Sequence, residues 1–252
     1  MTQSTDKVAL VTGASSGIGR ATAMAFASAG FRVVAADIDA DKGALLVRQI
    51  KEMGHEAVFI KTDVSASQDV NRMVKETIDR YGRLDCAFNN AGIEGESAST
   101  AECSEANWQQ VLAVNLTGIW LCMKYQLPHM LKQGHGAIVN CASIAGLVGF
   151  QNLPAYVASK HGVVGLTRAA ALENAKSGIR INAVCPGVIM TPMIERFTAN
   201  NAAALSQLEA GEPVGRIGNP EEIASAVLWL SSGGASFVTG QALAVDGGWV
   251  AQ

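Results

Sequence analysis

The sequence predicts a single α/β domain in which a parallel sheet is covered on both faces by helices. Three observations carry this. Short β-branched or apolar runs alternate with longer segments of helical period, a pattern that implies right-handed crossovers between parallel strands. The runs are near-continuously apolar, as strands buried on both faces should be. Of the 252 residues 49% are hydrophobic, only 6% are aromatic and 26 are glycine, which suits helices packed closely on a sheet.

In chain order the strand segments are 7–12, 32–37, 56–61, 84–89, 137–142, 179–184 and 242–247. Between them the spacing of apolar residues predicts helices over 18–29, 41–53, 67–80, 105–132, 156–177 and 220–232. The regular alternation breaks only over 191–218, where Pro192, Pro213 and charged and small polar residues gather. We read that stretch as a helical insertion covering a site, within one domain spanning 1–252. No repeat, low-complexity tract or linker divides the chain.

Composition excludes several functions. The net charge is −3 and no basic run exists, which argues against a nucleic-acid partner. The polar start "MTQSTDK" leads straight into the first strand, and no apolar run reaches membrane-spanning length. A cytoplasmic protein without signal peptide or membrane span is expected. The five cysteines (86, 103, 122, 141 and 185) are scattered with no C-x-x-C, so they read as free thiols in a reducing compartment. The four histidines have no metal-ligand spacing, and no metal is expected.

The first strand runs into "VTGASSGIGRA", with glycines at 13, 17 and 19. The spacing differs from G-x-G-x-x-G, but the mechanics can be the same. Glycines let a backbone turn sharply and approach a pyrophosphate, which then meets the positive end of the following helix. Asp37 ends the second strand about 20 residues further on, where a carboxylate can accept hydrogen bonds from an adenosine ribose. Ile38 follows, with no Lys or Arg at that strand end, and Arg32 stands at its start. A 2′-phosphate there would face like charge, so NAD(H) is favoured over NADP(H). Asp39 and Asp41 are better placed than Asp37 to cap the next helix. "GASSG" also matches the G-x-S-x-G elbow of hydrolases, with Ser15 as nucleophile. In that fold the elbow follows several strands, whereas here it follows the first, and the last histidine is His161, about ninety residues before the end, so the hydrolase reading is disfavoured.

Tyr156 and Lys160 in "PAYVASKHG" are four apart and share one helix face. A fixed ammonium beside a phenol favours the phenolate, which makes the pair a candidate proton donor and acceptor.

Taken together, "TGASSGIG" (12–19), "DV" (63–64), "NNAG" (89–92), Asn115 in "VNLTG", Ser143 in "CASIAG", "YVASK" (156–160), "PG" (186–187) and "VDGGW" (245–249) span almost the whole chain. In this the sequence resembles the short-chain dehydrogenase/reductase superfamily, in particular its glucose- and alcohol-dehydrogenase-like NAD(H)-dependent members. The resemblance implies a Rossmann-like, doubly wound domain with a seven-stranded parallel sheet. It implies Tyr156 as general acid/base and Lys160 as the group that tunes it and binds the nicotinamide ribose. Ser143 would hydrogen-bond the substrate oxygen, and Asn115 would hold a water linking Lys160 to solvent. The cofactor would be bound by Gly13, Ser15, Ser16, Gly17, Ile18 and Gly19 in the turn, with Asp37 and Ile38 at the ribose. Asp63 and Val64 would meet the adenine. Asn90, Ala91 and Gly92 would line the cofactor, and Pro186, Gly187, Ile189 and Thr191 the nicotinamide end.

The substrate pocket is expected just after these motifs, from Glu94, Gly95, Ile144, Ala145, Gln151, Val188 and the 191–210 segment with Met193, Ile194 and Phe197. The apolar members suit a secondary alcohol or ketone with hydrocarbon bulk, and Glu94 and Gln151 could bind hydroxyls. Sugar, cyclic-diol, steroid and 3-oxoacyl substrates stay open. So does a non-catalytic dinucleotide sensor, although a sensor has no need of an acid/base. The segments 105–132 and 156–177 carry apolar residues on more than one face, which suggests a subunit contact. The resemblance implies a homotetramer.

Overall fold

The computed structural model describes residues 6–198 and 201–252. Its strands are β1 (Val8–Thr12), β2 (Arg32–Asp37), β3 (Ala57–Lys61), β4 (Cys86–Asn89), β5 (Gly136–Cys141), β6 (Ile179–Pro186) and β7 (Ala242–Val245). They form one seven-stranded sheet in the order β3-β2-β1-β4-β5-β6-β7, with every neighbouring pair parallel. The expected architecture is therefore the observed one. Strand ends shift by one or two residues where the ladder decides: β6 runs on to Pro186 because Pro186 lies opposite Val245.

β1 shows why the strands read as unbroken apolar runs. All five of its residues are buried, but they serve two cores, because successive side chains point to opposite faces. Val8 and Leu10 join one core with Val70, Met73 and Val74 of α3 (Ser67–Tyr81). Ile119 and Leu121 of α5 (Gly118–Gln133) and Val163 and Val164 of α6 (Pro154–Asn174) complete it. Ala9 and Val11 join the other core with Phe26 of α1 (Gly17–Ser28) and with Leu46 and Ile50 of α2 (Ala40–Glu52). Ile223, Val227 and Leu230 of α9 (Pro220–Ser231) close that face. Each fully buried Leu, Ile or Val contributes about 1.5–3 kcal/mol. All five cysteines are free and only Cys103 is not buried. Burial pushes the Cys86, Cys122 and Cys185 thiols up to about 12, so they are unreactive.

The segment 105–132 is not one regular helix. α4 (Glu105–Leu112) passes through a π-helical turn, Ala113–Thr117, into α5. Such a turn inserts a residue and re-aims a side chain, here Asn115. The 191–218 insertion is helical, as α7 (Pro192–Phe197) and α8 (Ala202–Gly211). No helix of the described residues is long and apolar enough to cross a membrane, and no cluster that could hold a metal is found among them.

Candidate active site

Strand order reverses between β1 and β4, so the loops leaving their carboxyl ends splay apart and open a crevice. A cleft of about 660 Å³ occupies it, running from Asp37 and Ile38 at one end to α7 and α8 at the other.

The glycine-rich turn forms the floor. Gly13 has φ +62°, a conformation that costs glycine little. At Gly19 a Cβ would lie 2.0 Å from the Gly13 carbonyl oxygen, so no larger residue fits. Thr12 Oγ1 accepts from the amides of Asn90 and Ala91, while Asn90 Nδ2 donates to Thr12 O and Gly13 O. These bonds clamp the loop after β4 onto the turn. Ser16 starts α1 without a side-chain cap, so amides of the first turn keep their donors. With the helix dipole they make an anion cradle, and Ser16, Gly17 and Ile18 face the cleft.

Asp37 lines the cleft beside Ile38, which is 63% exposed. Its carboxylate already accepts from Ser15 N at 2.9 Å and Asp39 N at 3.0 Å, so it also braces the turn. Asp39 caps α2 by accepting from Lys42 N, as its position predicts. Asp63 and Val64 form the opposite wall of this end. Asp63 Oδ1 accepts from Ser65 N and Oγ, which presents the 63–65 corner to the cleft.

Midway along the cleft lie Ser143, Tyr156 and Lys160. Ser143 follows β5, and its Oγ accepts from Ala145 N at 3.1 Å, leaving the hydroxyl proton free to donate. Pro154 starts α6 at a helix position that needs no amide, and the first two turns then carry Tyr156 and Lys160. Lys160 is 3% exposed, its Nζ donates to Cys141 O at 2.9 Å, and it sits 5.5 Å from the Tyr156 ring centroid. An ammonium carries three donors, so two stay available toward the cleft.

Some predicted residues stand elsewhere. Asn115 is completely buried. Its Oδ1 accepts from Ile93 N at 2.8 Å, and its Nδ2 donates to Ile93 O and to Ser159 Oγ. Ser159 Oγ donates in turn to Tyr156 O. The Asn115 side chain therefore braces the loop after β4 against the helix that carries Tyr156, and it does not reach the cleft. Ser15 and Gly19 lie behind the cleft wall, because the Ser15 hydroxyl is buried and donates to Asp39 O while Gly19 packs on Gly13. That removes the hydrolase reading as well, since the last histidine, His161, is exposed and engages Val157 O on α6. Gln151 is exposed and outside the cleft, beside Asn152, whose φ of +62° marks a tight turn. Gly95 also misses the cleft, packed against Val111 and Asn107.

At the substrate end Ile144, Ala145, Val188, Met193, Ile194 and Phe197 line the cleft as expected. Glu94 lines it too, but is held by Arg196 of α7 in a two-pronged ion pair of 2.9 and 3.1 Å. That pairing keeps Arg196 charged, raised further above its ordinary value. Leu208, within the 191–210 segment, lines the cleft as well, while the sequence reading missed Phe150, Leu153 and Trp249. The rings of Phe150 and Trp249 pack 6.0 Å apart and tilted by 31°. Trp249 lies in the terminal "VDGGW" motif, a signal that could have found it.

A cradle of free amides, a carboxylate at the end of β2 and a buried ammonium near a phenol fit a nicotinamide dinucleotide. The class that this fold and cleft define is a dinucleotide-dependent oxidoreductase. The chain belongs to the short-chain dehydrogenase/reductase family: the family profile described as "Enoyl-(Acyl carrier protein) reductase" matches residues 13–250. It is a dehydrogenase acting on CH–OH donors, and its family uses NAD(P)(H). It is 47% identical over 247 residues to cyclohexanol dehydrogenase of Acinetobacter sp. (strain SE19), covering 98% of this chain and 96% of that protein. Over 252 residues it is 43% identical to 2,5-dichloro-2,5-cyclohexadiene-1,4-diol dehydrogenase of Sphingobium indicum, covering all of both chains. The crystal structure of levodione reductase superposes with a TM-score of 0.96 at 39% identity, covering 98% of each chain.

Proposed function

We propose that this dehydrogenase interconverts a secondary alcohol carried on a hydrocarbon ring and the corresponding ketone, with NAD(H). The observation that carries the reading is the pairing of two cleft hydroxyls, Ser143 and Tyr156, with an apolar wall that includes the Phe150–Trp249 ring pair. The bound nicotinamide supplies hydride exchange at the reacting carbon. Ser143 and Tyr156 donate to the single oxygen on that carbon, where negative charge grows during reduction. Tyr156 moves the proton, with the buried Lys160 ammonium held beside its ring. Asn115, through Ser159, holds the Tyr156 turn in place.

The family profile is named for an enoyl reductase, whereas both relatives are named for alcohol oxidation. Two hydroxyl-bearing residues in one cleft, Ser143 and Tyr156, suit a substrate whose reacting carbon bears an oxygen. NAD(H) is preferred over NADP(H) because Asp37 and Ile38 wall the ribose end. Among the described residues lining the cleft, the cations are Lys160 and Arg196, both away from that end. We also read the assembly as a homotetramer, because Trp120 and Leu131 on α5 and Leu172 on α6 leave apolar surface exposed.

The test is NADH formation across a panel of cyclohexanols, ring diols, open-chain secondary alcohols and sugars, with NADP in parallel. Turnover of ring alcohols with NAD is expected. Tyr156→Phe should lower it at least about a hundredfold while NADH still binds. Turnover that survives in Tyr156→Phe would sink the acid/base role, and preference for sugars would sink the substrate class.

A further inference from the structure

Behind the loop at the nicotinamide end lies a second cavity of about 90 Å³, separated from the main cleft by Gly187, Val188 and Ile189. Its wall includes Glu212, which follows α8 and is only 4% exposed. Glu212 Oε1 accepts from Val188 N at 3.0 Å. The groups facing Glu212 across the cavity are Asp246, after β7, and the Arg216–Glu222 ion pair beside α9. Asp246 is turned to the chain end, accepting from Gly248 N and Val250 N. Burial, then the Asp246 charge, raises Glu212 above the ordinary carboxylate value. An apolar side chain would fill this space more cheaply.

The loop is held elsewhere too, first by Gly187 N donating to Val245 O. Ile189 and Gly218 form an isolated parallel bridge, made by Gly218 N to Val188 O and Met190 N to Gly218 O. That bridge leaves the Ile189 N–H unused. In extended backbone successive peptide groups point to opposite sides. Fixing Val188 from behind therefore fixes Ile189 toward the cleft, which Ile189 lines.

We infer that Glu212 is a positioning residue for the nicotinamide end of the cleft: by holding the Val188 amide it sets the Ile189 peptide edge, and it ties that edge to the end of α8. This rests on the proposed placement of the nicotinamide at 186–191. It concerns only that end, so the adenosine end should not sense it.

The experiment measures NADH and AMP affinities, thermal unfolding and kcat for the parent, Glu212→Leu and Glu212→Gln. Leu fills the volume without an acceptor, and Gln keeps a neutral one. In Glu212→Leu, NADH should bind roughly tenfold more weakly, the size of one lost bond to a charged group. AMP should bind within about twofold of the parent, kcat should fall, and the protein should stay folded. Glu212→Gln should restore NADH affinity to within about threefold. NADH affinity unchanged in the Leu variant would overturn the inference, as would equal loss of AMP and NADH or failure of Gln to rescue. A parent that binds no NADH would instead overturn the cofactor reading.

Discussion

The end of the cleft at Asp37 and the glycine-rich turn, where we propose the dinucleotide, rests on strand ends, whereas the other end rests on two helices, α7 and α8. At the first, β1 and β4 are buried throughout, and the loops leaving them are bonded through Thr12, Asn90, Asp37 and Asn115. At the second, α7 buries none of its six residues and Phe197 stays 49% exposed. The cross-cleft tie we find there is the Glu94–Arg196 pair, whose side chains are 23% and 60% exposed. Groups that must meet a fixed cofactor are held by a rigid scaffold. Groups that select a substrate sit on elements with little packing to restrain them, which suits a family that varies its substrates.

The comparison breaks most visibly at Asn115. Asn115→Leu deletes two bonds to Ile93 and one to Ser159 in a fully buried place. We expect a loss of about 3 kcal/mol or more, seen as a fall in Tm of roughly 6–12 °C. A Tm within about 2 °C of the parent would mean that the rigid end is not held by this residue. Asp37→Ala comes next. It should weaken NAD(H) binding about tenfold, as expected for a lost bond to a charged group, and narrow the gap to NADP(H). Binding titrations of both cofactors check this, and unchanged affinities for both would remove Asp37 from the ribose. The smallest effect belongs to the substrate end. An exposed pair is worth about 0–1 kcal/mol, so Arg196→Gln should change the alcohol KM by no more than about fivefold and Tm by under about 3 °C. A larger drop in Tm would show that α7 is as firmly built in as the strands.

Legibility followed the same division. Tyr156, Lys160, the glycine turn and Asp37 could be read because each lies within a short motif whose spacing has a local meaning. Gln151 stands outside the cleft because proximity to a motif does not decide which way a turn faces, and Asn152 turns that corner with positive φ. Asn115 was placed in the site, but a periodicity argument draws 105–132 as one helix and misses the π-helical turn that aims it. Ser159, Arg196 and Glu212 carried no local signal of their roles. Arg196 meets Glu94 across 102 positions and Glu212 meets Val188 across 24.

The amino-acid order alone determined the layered α/β architecture, its two cores and the chemical set on α6, because burial periodicity and one-turn spacing act over a few residues. Tertiary structure decided which side chains share the cleft wall, that Asp37 braces backbone from within that wall while Asn115 braces it from behind, and that Glu212 stands behind the 187–189 loop. Those facts depend on strands from distant parts of the chain meeting at one crevice, and no local pattern encodes that meeting.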